Sequence, residues 1–259
     1  MTPYLLCTGT IWQREIVRFV RQRSRIIGAF GQPVLFWLLL GSGFGRNFRY
    51  AGGGGEGYLE YFYPGIIAMV VLFTAIFSTF AVVDDRKARF LQGVLAAPVP
   101  RSAIVLGQVT GGATLALLQG VLLLIATPLA GVPLTLEAAL ASVLVMGLIG
   151  FALTALGLLL AWRIESTQGF HSIMNLLLIP LWLLSGAVFP VAGAHPLIGL
   201  IMQVNPLTYG VAALRRTLYL SAPEAVANLP GLWVSLLVMI AFGVVCFSLA
   251  VRTAERSEG

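Results

Sequence analysis

Long apolar runs separated by short charged stretches dominate the pattern of this chain. Uncharged runs occupy residues 26–45, 61–83, 103–127, 138–162, 169–189 and 231–251. As an α-helix, each run is long enough to cross a hydrocarbon core of about 30 Å, because the rise is about 1.5 Å per residue. The pattern predicts an all-α membrane protein with six transmembrane helices in a single domain, residues 1–259.

The apolar stretch after the fifth run is broken in a different way. Residues 191–214 read "VAGAHPLIGLIMQVNPLTYGVAAL", and Asn205 followed by Pro206 interrupts a helix near the middle of this stretch. We expect two half-length helices that enter the membrane and return on the same side, a re-entrant pair, because irregular backbone is tolerated only where protein or water covers it. A seventh crossing is the alternative.

Arginines recur along one side of the N-terminal segment, with apolar residues on the other. The arginines are Arg14, Arg18, Arg21 and Arg25, and the apolar residues are Trp12, Ile16, Phe19 and Val20. This spacing predicts an amphipathic helix at about residues 11–25 that lies along the headgroups of the membrane. It serves either as an anchor alone or also as a surface that meets a partner.

The segment "AVVDDRKARFLQGVLAAPVPRSAIVLG", residues 81–107, places a cluster of charges between the second and third runs. Its apolar residues have the spacing of one face of a short helix, and they are Phe90, Leu91, Val94 and Leu95. Pro98 and Pro100 end this helix, and Arg101 marks the return to the membrane. An ordinary connection needs only a few residues, so a docking helix is favoured over a plain loop.

Composition and charge support a membrane protein. The chain is 58% hydrophobic and 10% charged, whereas soluble domains carry about 25% charged residues. The net charge of +6 does not indicate nucleic-acid binding, because the basic residues flank apolar runs. Twelve of them lie on the side of both termini and four on the other, which predicts a cell membrane protein with cytoplasmic termini. A seventh crossing leaves this count unchanged.

Motifs for catalysis or metal binding are absent from the sequence. It has no HExxH and no Walker A sequence, and Cys7, Cys246, His171 and His195 are isolated. No Asp, Glu, Lys or Arg lies inside a predicted span, which argues against self-powered transport and against an intramembrane enzyme. We therefore expect no catalytic, metal or cofactor-binding residue in this chain. An ATP-independent channel or scaffold, and less favourably a lipid-modifying enzyme, are the alternatives to a transporter subunit.

Three stretches resemble one family. "DRKARFLQGVLAAPVPRSAIVLG", "STQGFHSIMNLLLIPLWLLSGAVFP" and "NPLTYGVAALR" are similar, in this order, to segments of ABC-2 type transporter permeases of the drug-resistance and nodulation-factor export type. The resemblance implies an exporter subunit that pairs with a second permease copy, identical or paralogous. It also implies a separate cytoplasmic ABC ATP-binding subunit that holds ATP and Mg²⁺.

The resemblance assigns roles to residues. The coupling helix that meets the ATPase would use Asp85, Arg86, Phe90, Leu91, Val94, Leu95, Pro98 and Arg101. Spans two and five would line the path between the two copies, with Thr74, Ser78, Asn175 and Trp182 facing it. The re-entrant pair would form an outer gate that includes Pro190, Asn205, Pro206 and Tyr209. An apolar path suits amphipathic or lipid-like cargo.

Overall fold

A computed structural model describes residues 3–21, 31, 35, 39, 58–87, 99–164, 166–191 and 195–256. These residues form helices joined by short turns, and no strand occurs among them. The predicted span at 26–45 is described only at residues 31, 35 and 39, which are helical. Five predicted coupling residues lie outside the described part of the chain, and they are Phe90, Leu91, Val94, Leu95 and Pro98.

Nine helices, numbered here in chain order, make up most of the described part. They are α1 (Pro3–Arg21), α2 (Tyr58–Ser78), α3 (Phe80–Lys87), α4 (Arg101–Ile125), α5 (Leu136–Ala161), α6 (Thr167–Trp182), α7 (Pro196–Val204), α8 (Pro206–Leu218) and α9 (Leu232–Arg256). A π-helical turn, Leu183–Ala187, follows α6. Among the described residues, five helical segments are long and apolar enough to cross a membrane, or six if α7 and α8 count as one. The all-α prediction is confirmed for this part of the chain.

Two element boundaries differ from the predicted ones. Helix α1 begins at Pro3 rather than at residue 11, because its N-terminal half packs on α4 through Thr8 and Ile11. The second predicted span breaks at Thr79 and continues as α3. Asp85 and Arg86 lie in α3 and therefore extend this span. Both residues contact neighbouring helices, and these contacts stabilise the helical conformation of α3.

Helix α4 has two glycine faces that let neighbouring helices approach closely. A methyl group added at Gly107 would lie 2.8 Å from Cβ of Ile11, and one at Gly111 would lie 2.9 Å from Cβ of Glu15. On the other face, a methyl group added at Gly120 would lie 2.8 Å from Sδ of Met146 on α5. Small residues at such spacing allow helix backbones to pack tightly inside a membrane. Helix α1 therefore runs beside α4 in the same direction.

Large apolar side chains cover the outside of the bundle. Exposed examples on four helices are Leu118, Leu122, Leu140, Leu144, Leu176, Trp233, Leu237 and Val245. A soluble monomer rarely exposes contiguous apolar patches of more than a few hundred Å². These surfaces are typical of helices that contact lipid or further protein.

Two ends of the bundle are distinct. At the Asp85 end lie Asp84–Arg86, the start of α4 and the end of α5. At the Tyr61 end lie Glu60 and Tyr61, the turn after α6 and the end of α8. The contacts of α6 distinguish these ends. Phe170 packs against Phe80 of α3 near the Asp85 end, and Trp182 donates to the carbonyl of Gly65 of α2 near the Tyr61 end.

Candidate functional site

Asp85 joins α3 to the N-terminal helix. Arg14 makes two contacts of 2.7 Å with its carboxylate oxygens, and Arg18 donates to Oδ1 at 3.1 Å. The Asp85 side chain is only 7% exposed. The hydrogen bond to Asp85 raises the pKa of Arg14 above its ordinary value, because it favours the charged guanidinium. The pair is a charge-assisted, two-pronged contact, which fixes geometry as well as charge.

Arg86, the next residue, points to a different helix. Its Nη1 donates to the carbonyl oxygens of Ala161 at 3.2 Å and of Trp162 at 2.9 Å. These carbonyls lie at the C-terminal end of α5, where the last turn has no intrahelical donors. A cation at this position also opposes the negative end of the helix dipole. Arg86 therefore fixes the end of α3 to the end of α5.

Helix α1 contacts both flanks of the charged segment. On the near flank it holds Asp85 of α3, and on the far flank the hydroxyl of Thr8 donates to the carbonyl of Ala103 at 3.1 Å. Arg101 is the first residue of α4, two positions from that contact. A displacement of the segment between α3 and α4 must therefore also act on α1.

The predicted break at Asn205 is present and its side chain has three contacts. Helices α7 and α8 meet at an angle of 81°. Oδ1 of Asn205 accepts from the backbone N–H of Leu207 at 2.9 Å, which caps the start of α8. Its Nδ2 donates to the carbonyls of Leu181 at 2.7 Å and Leu184 at 3.0 Å. Pro206 occupies the first turn of α8, where its missing N–H costs nothing.

Side chains of other elements satisfy the carbonyls that become free where α6 ends. Gly186 adopts a φ of 77°, a left-handed conformation that glycine accepts readily. Its carbonyl accepts from the hydroxyl of Tyr61 at 3.1 Å and from Nη2 of Arg215 at 3.0 Å. The hydroxyl of Thr208 donates to Leu184 at 3.3 Å. Inside a membrane an unsatisfied carbonyl costs several kcal/mol, so these donors are what permits the break.

A proline in α2 creates a similar requirement. Pro64 lacks an N–H, so the carbonyl of Glu60, four residues earlier, has no helical donor. The hydroxyl of Tyr219 donates to this carbonyl at 3.1 Å. The end of α8 is thereby attached to the start of α2. Together with the donors to α6, this contact makes the Tyr61 end a network of side chains on opened backbone.

The remaining predicted gate residues lie at the same end. The hydroxyl of Tyr209 donates to the carbonyl of Gln203 at 3.0 Å, a contact within the α7–α8 pair. Pro190 lines a pocket together with Arg215. The structure thus brings Pro190, Asn205 and Pro206 into one region with the end of α6. The gating role itself stays a prediction.

Only one of the predicted pathway residues is exposed on this chain. Thr74 is buried and hydrogen-bonded to Gln119, and Trp182 is buried and donates to the carbonyl of Gly65 at 2.9 Å. Ser78 packs against Gly112. Asn175 is exposed on α6, between the exposed Ile173 and Leu176. The exposed face of α6, which carries Asn175, is therefore the candidate surface for lining a path.

Several contacts at these two ends were missed at the sequence level. Tyr61, Gly186 and Arg215 had no assigned role, and Arg14 and Arg18 were assigned to the lipid surface. One signal was present for Arg215, because an arginine within the last turn of an apolar helix needs a partner. His171 packs on the ring of Phe80, at 4.3 Å between centroids. No group of three or more metal-binding side chains occurs in the described part of the chain.

Comparison with known proteins gives a consistent result. Residues 7–219 match the profile of the ABC-2 type transporter family. Nodulation protein J of Sinorhizobium fredii is 26% identical over 251 residues, which cover 95% of this chain and 92% of that protein. The inner membrane transport permease YadH of Escherichia coli is 25% identical over 254 residues, 97% of each chain. A putative transport permease, ycf38 of Cyanophora paradoxa, is 24% identical over 205 residues, which cover 78% of this chain and 71% of that protein.

Proposed function

Because this chain belongs to the ABC-2 type transporter family, we propose that it is the membrane-spanning permease subunit of an ATP-driven exporter. In this proposal, a separate cytoplasmic ABC subunit binds ATP and Mg²⁺, and this chain contributes no catalytic residue. Two permease copies form the substrate path. The proposal agrees with the printed description of YadH as an inner membrane transport permease.

The observation that carries the coupling role is the attachment of the charged segment at both of its flanks. Asp85 is bound to α1, Arg86 to the end of α5, and the start of α4 to α1 again. The sequence of the segment between them, residues 88–98, predicts a short helix with an apolar face and a charged start, as docking in a cleft requires. A movement of this segment driven by an ATPase would therefore be transmitted to α1, α4 and α5 together.

The geometry of the α7–α8 pair supports a re-entrant pair over a seventh crossing. Helix α6 leads from the Asp85 end to the Tyr61 end, and at the far end of the pair Arg215 and Tyr219 contact Tyr61 and Glu60 there. The two helices have 9 and 13 residues, so they measure about 14 Å and about 20 Å and neither spans about 30 Å. The basic residues favour a cytoplasmic charged segment in either topology, and with a re-entrant pair α9 returns the C-terminal end to that same side, which supports cytoplasmic termini.

Cysteine labelling tests this topology. In a variant without Cys7 and Cys246, we expect Ser221→Cys to react with an impermeant maleimide in intact cells. Thr253→Cys should react only after permeabilisation. Labelling of Thr253→Cys in intact cells would support the seventh crossing.

The exposed face of α6 supports an assembly of two copies. Asn175 has an amide that lipid hydrocarbon cannot satisfy. A second copy, or a water-filled path between two copies, provides partners for it. We propose that α6 faces its counterpart across the path, and that the broken pair α7–α8 controls the outer opening.

Co-purification tests the ATP-driven function. The tagged chain is extracted in mild detergent, and we expect a protein with a Walker A sequence and ATPase activity to accompany it. Leu91→Asp should remove this protein, because a carboxylate enters the predicted apolar face of residues 88–98, the proposed coupling segment. Gln92→Asp, one residue away on the polar side, should leave it in place.

The contradicting result is equally specific. If the chain is folded and transports cargo in reconstituted vesicles without any ATPase, the channel alternative replaces the exporter. If Leu91→Asp retains the ATPase and transport as fully as Gln92→Asp, residues 88–98 are a plain loop.

A further inference from the structure

Arg215 is a buried cation that lacks a carboxylate. Its residue exposure is 5%, and its guanidinium lies 3.8 Å from the ring centre of Tyr61. The ion pairs of Asp85 with Arg14 and Arg18 lie at the opposite end of the bundle. Arginine remains charged in proteins and is almost never fully buried without a partner.

The backbone contacts of Arg215 use one nitrogen of its guanidinium. Nη2 donates to the carbonyls of Tyr61 at 3.1 Å, Gly186 at 3.0 Å and Ala187 at 3.4 Å. Nε is buried and has no hydrogen-bond acceptor. Carbonyl dipoles and the Tyr61 ring compensate part of the charge. A donor of a charged group is left without an acceptor, which is costly in a low-dielectric site.

A pocket lies beside this guanidinium. This pocket has a volume of about 30 Å³ and opens to solvent, and its walls include Tyr61, Pro190, Tyr219 and Asn228. Among the described residues that line it, none is acidic. The apolar part of the wall comes from Val226 and Leu229. The pocket therefore combines one cation, a neutral amide and an apolar surface.

We propose that this pocket is a subsite for an oxyanion, a phosphate or carboxylate, with Arg215 as the charged donor. A planar guanidinium binds such groups strongly, and Arg215 is the one charged side chain among the described residues that line the pocket. The apolar wall suits the adjoining part of an amphiphile, and a free anion satisfies the same charge. This proposal does not depend on ATP-driven transport, because it concerns binding to the permease alone.

The test measures thermal unfolding of the purified full-length chain in neutral detergent at constant ionic strength. The probes are a short-chain phosphatidylglycerol, the matching phosphatidylcholine and inorganic phosphate. A ligand that binds only the folded state raises the unfolding temperature as its concentration increases, which gives an apparent Kd. We expect phosphatidylglycerol, phosphate or both to stabilise the protein, and phosphatidylcholine to have no effect beyond that of the detergent.

Three variants assign the effect to the pocket. Arg215→Gln should weaken anion binding by at least about tenfold, since a charged hydrogen bond is lost. Arg252→Gln removes the same charge near the C-terminal end of α9, from a residue that does not line the pocket, and should keep the affinity. Asn228→Asp places a carboxylate in the pocket wall, and it tests the site even if Arg215→Gln does not fold.

Each outcome decides a point. Stabilisation by phosphatidylglycerol alone identifies an amphiphile headgroup, and stabilisation by phosphate alone identifies a soluble anion. Both support the subsite if Arg215→Gln or Asn228→Asp removes the effect. If no anion stabilises the wild-type chain, or if Asn228→Asp and Arg215→Gln respond as the wild type does, Arg215 serves only the carbonyls of α6 and α2.

Discussion

Asp85 carries its negative charge almost out of contact with solvent, and two arginines of α1 hold it there. The pair is inside the chain, so Asp85 acts on the coupling segment by positioning it. Arg86 does the same from the other side through the carbonyls of α5. In the proposed exporter, contact with the ATPase would fall to the apolar residues of the segment itself.

Replacement of Asp85 by asparagine tests this attachment. We expect Asp85→Asn to lower the free energy of unfolding by about 1–3 kcal/mol, because two guanidinium groups lose their counter-charge. The loss is at the lower part of the range for buried pairs, since Arg14 and Arg18 are 31% and 24% exposed. The measurement is thermal unfolding in detergent.

Asp84→Asn is the matched control. Its side chain is 39% exposed and lies 3.8 Å from Arg18, so the change should cost about 0–1 kcal/mol. Equal losses for Asp84 and Asp85 would contradict the attachment to α1.

At the scale of elements, α1 and α4 behave as a packed pair. Thr8 meets Ala103, Ile11 meets Gly107 and Glu15 meets Gly111, so the contact extends over successive turns. This arrangement links the N-terminal helix to the helix that follows the coupling segment. The indole of Trp12 donates to the hydroxyl of Thr114 on α4 at 3.1 Å, and the exposed side chain of Val20 is left for lipid or a partner.

Gly107→Ala tests this packing. A methyl group would lie 2.8 Å from Cβ of Ile11 and 2.8 Å from the carbonyl oxygen of Thr8, so the helices must separate. We expect a loss of about 1–3 kcal/mol in the free energy of unfolding. Trypsin should also cleave after Arg18 faster, since α1 is held less firmly.

Gly147→Ala provides a control with the opposite sign. Its added methyl group meets only Leu117, at 4.0 Å. Because alanine favours helix over glycine, this variant should be neutral or more stable by up to about 1 kcal/mol. If both alanine variants gain stability, α1 does not pack on α4 as described.

The broken pair α7–α8 depends on Asn205 to a similar degree. Asn205→Ala removes the cap of α8 and two donors to the end of α6. We expect a loss of about 1–3 kcal/mol, measured by thermal unfolding. Gln203→Ala, two residues earlier on an exposed side, should change stability by less than about 0.5 kcal/mol. A loss as small for Asn205→Ala would show that the break needs no side-chain donor.

At the scale of the whole molecule, the exposed apolar faces are not equivalent. Helices α4, α5 and α9 expose large apolar residues that lipid can cover. Helix α6 exposes Asn175 among such residues. The proposed contact between two copies is therefore expected at α6 rather than at the other helices.

Disulfide crosslinking tests this assembly. In a variant without native cysteines, Asn175→Cys should crosslink two copies on mild oxidation in native membranes. Leu144→Cys on α5, 76% exposed in this chain, should not. Crosslinking at Leu144→Cys alone would move the interface to α5, and crosslinking at neither residue would remove α6 from the interface.

The sequence by itself determined the all-α membrane class, most span positions, the break at Asn205–Pro206 and the family. These features depend on local properties, such as hydropathy, the chemistry of proline and the length of a run. Helices α4 and α5 accordingly begin and end within two residues of the predicted bounds. The start of α1 was not predicted, because the glycines that receive it lie about a hundred residues further along the chain.

Only the tertiary structure decided which polar groups meet. Arg14 and Asp85 are 71 positions apart, and Arg215 reaches carbonyls from two other elements. In an apolar interior each charge or open carbonyl needs a partner. The sequence alone offers several possible partners for each group and does not choose between them. The glycines of α4 that receive α1 place Arg14 within reach of Asp85. The side chains of Asn205 and Arg215 join α8 to the end of α6.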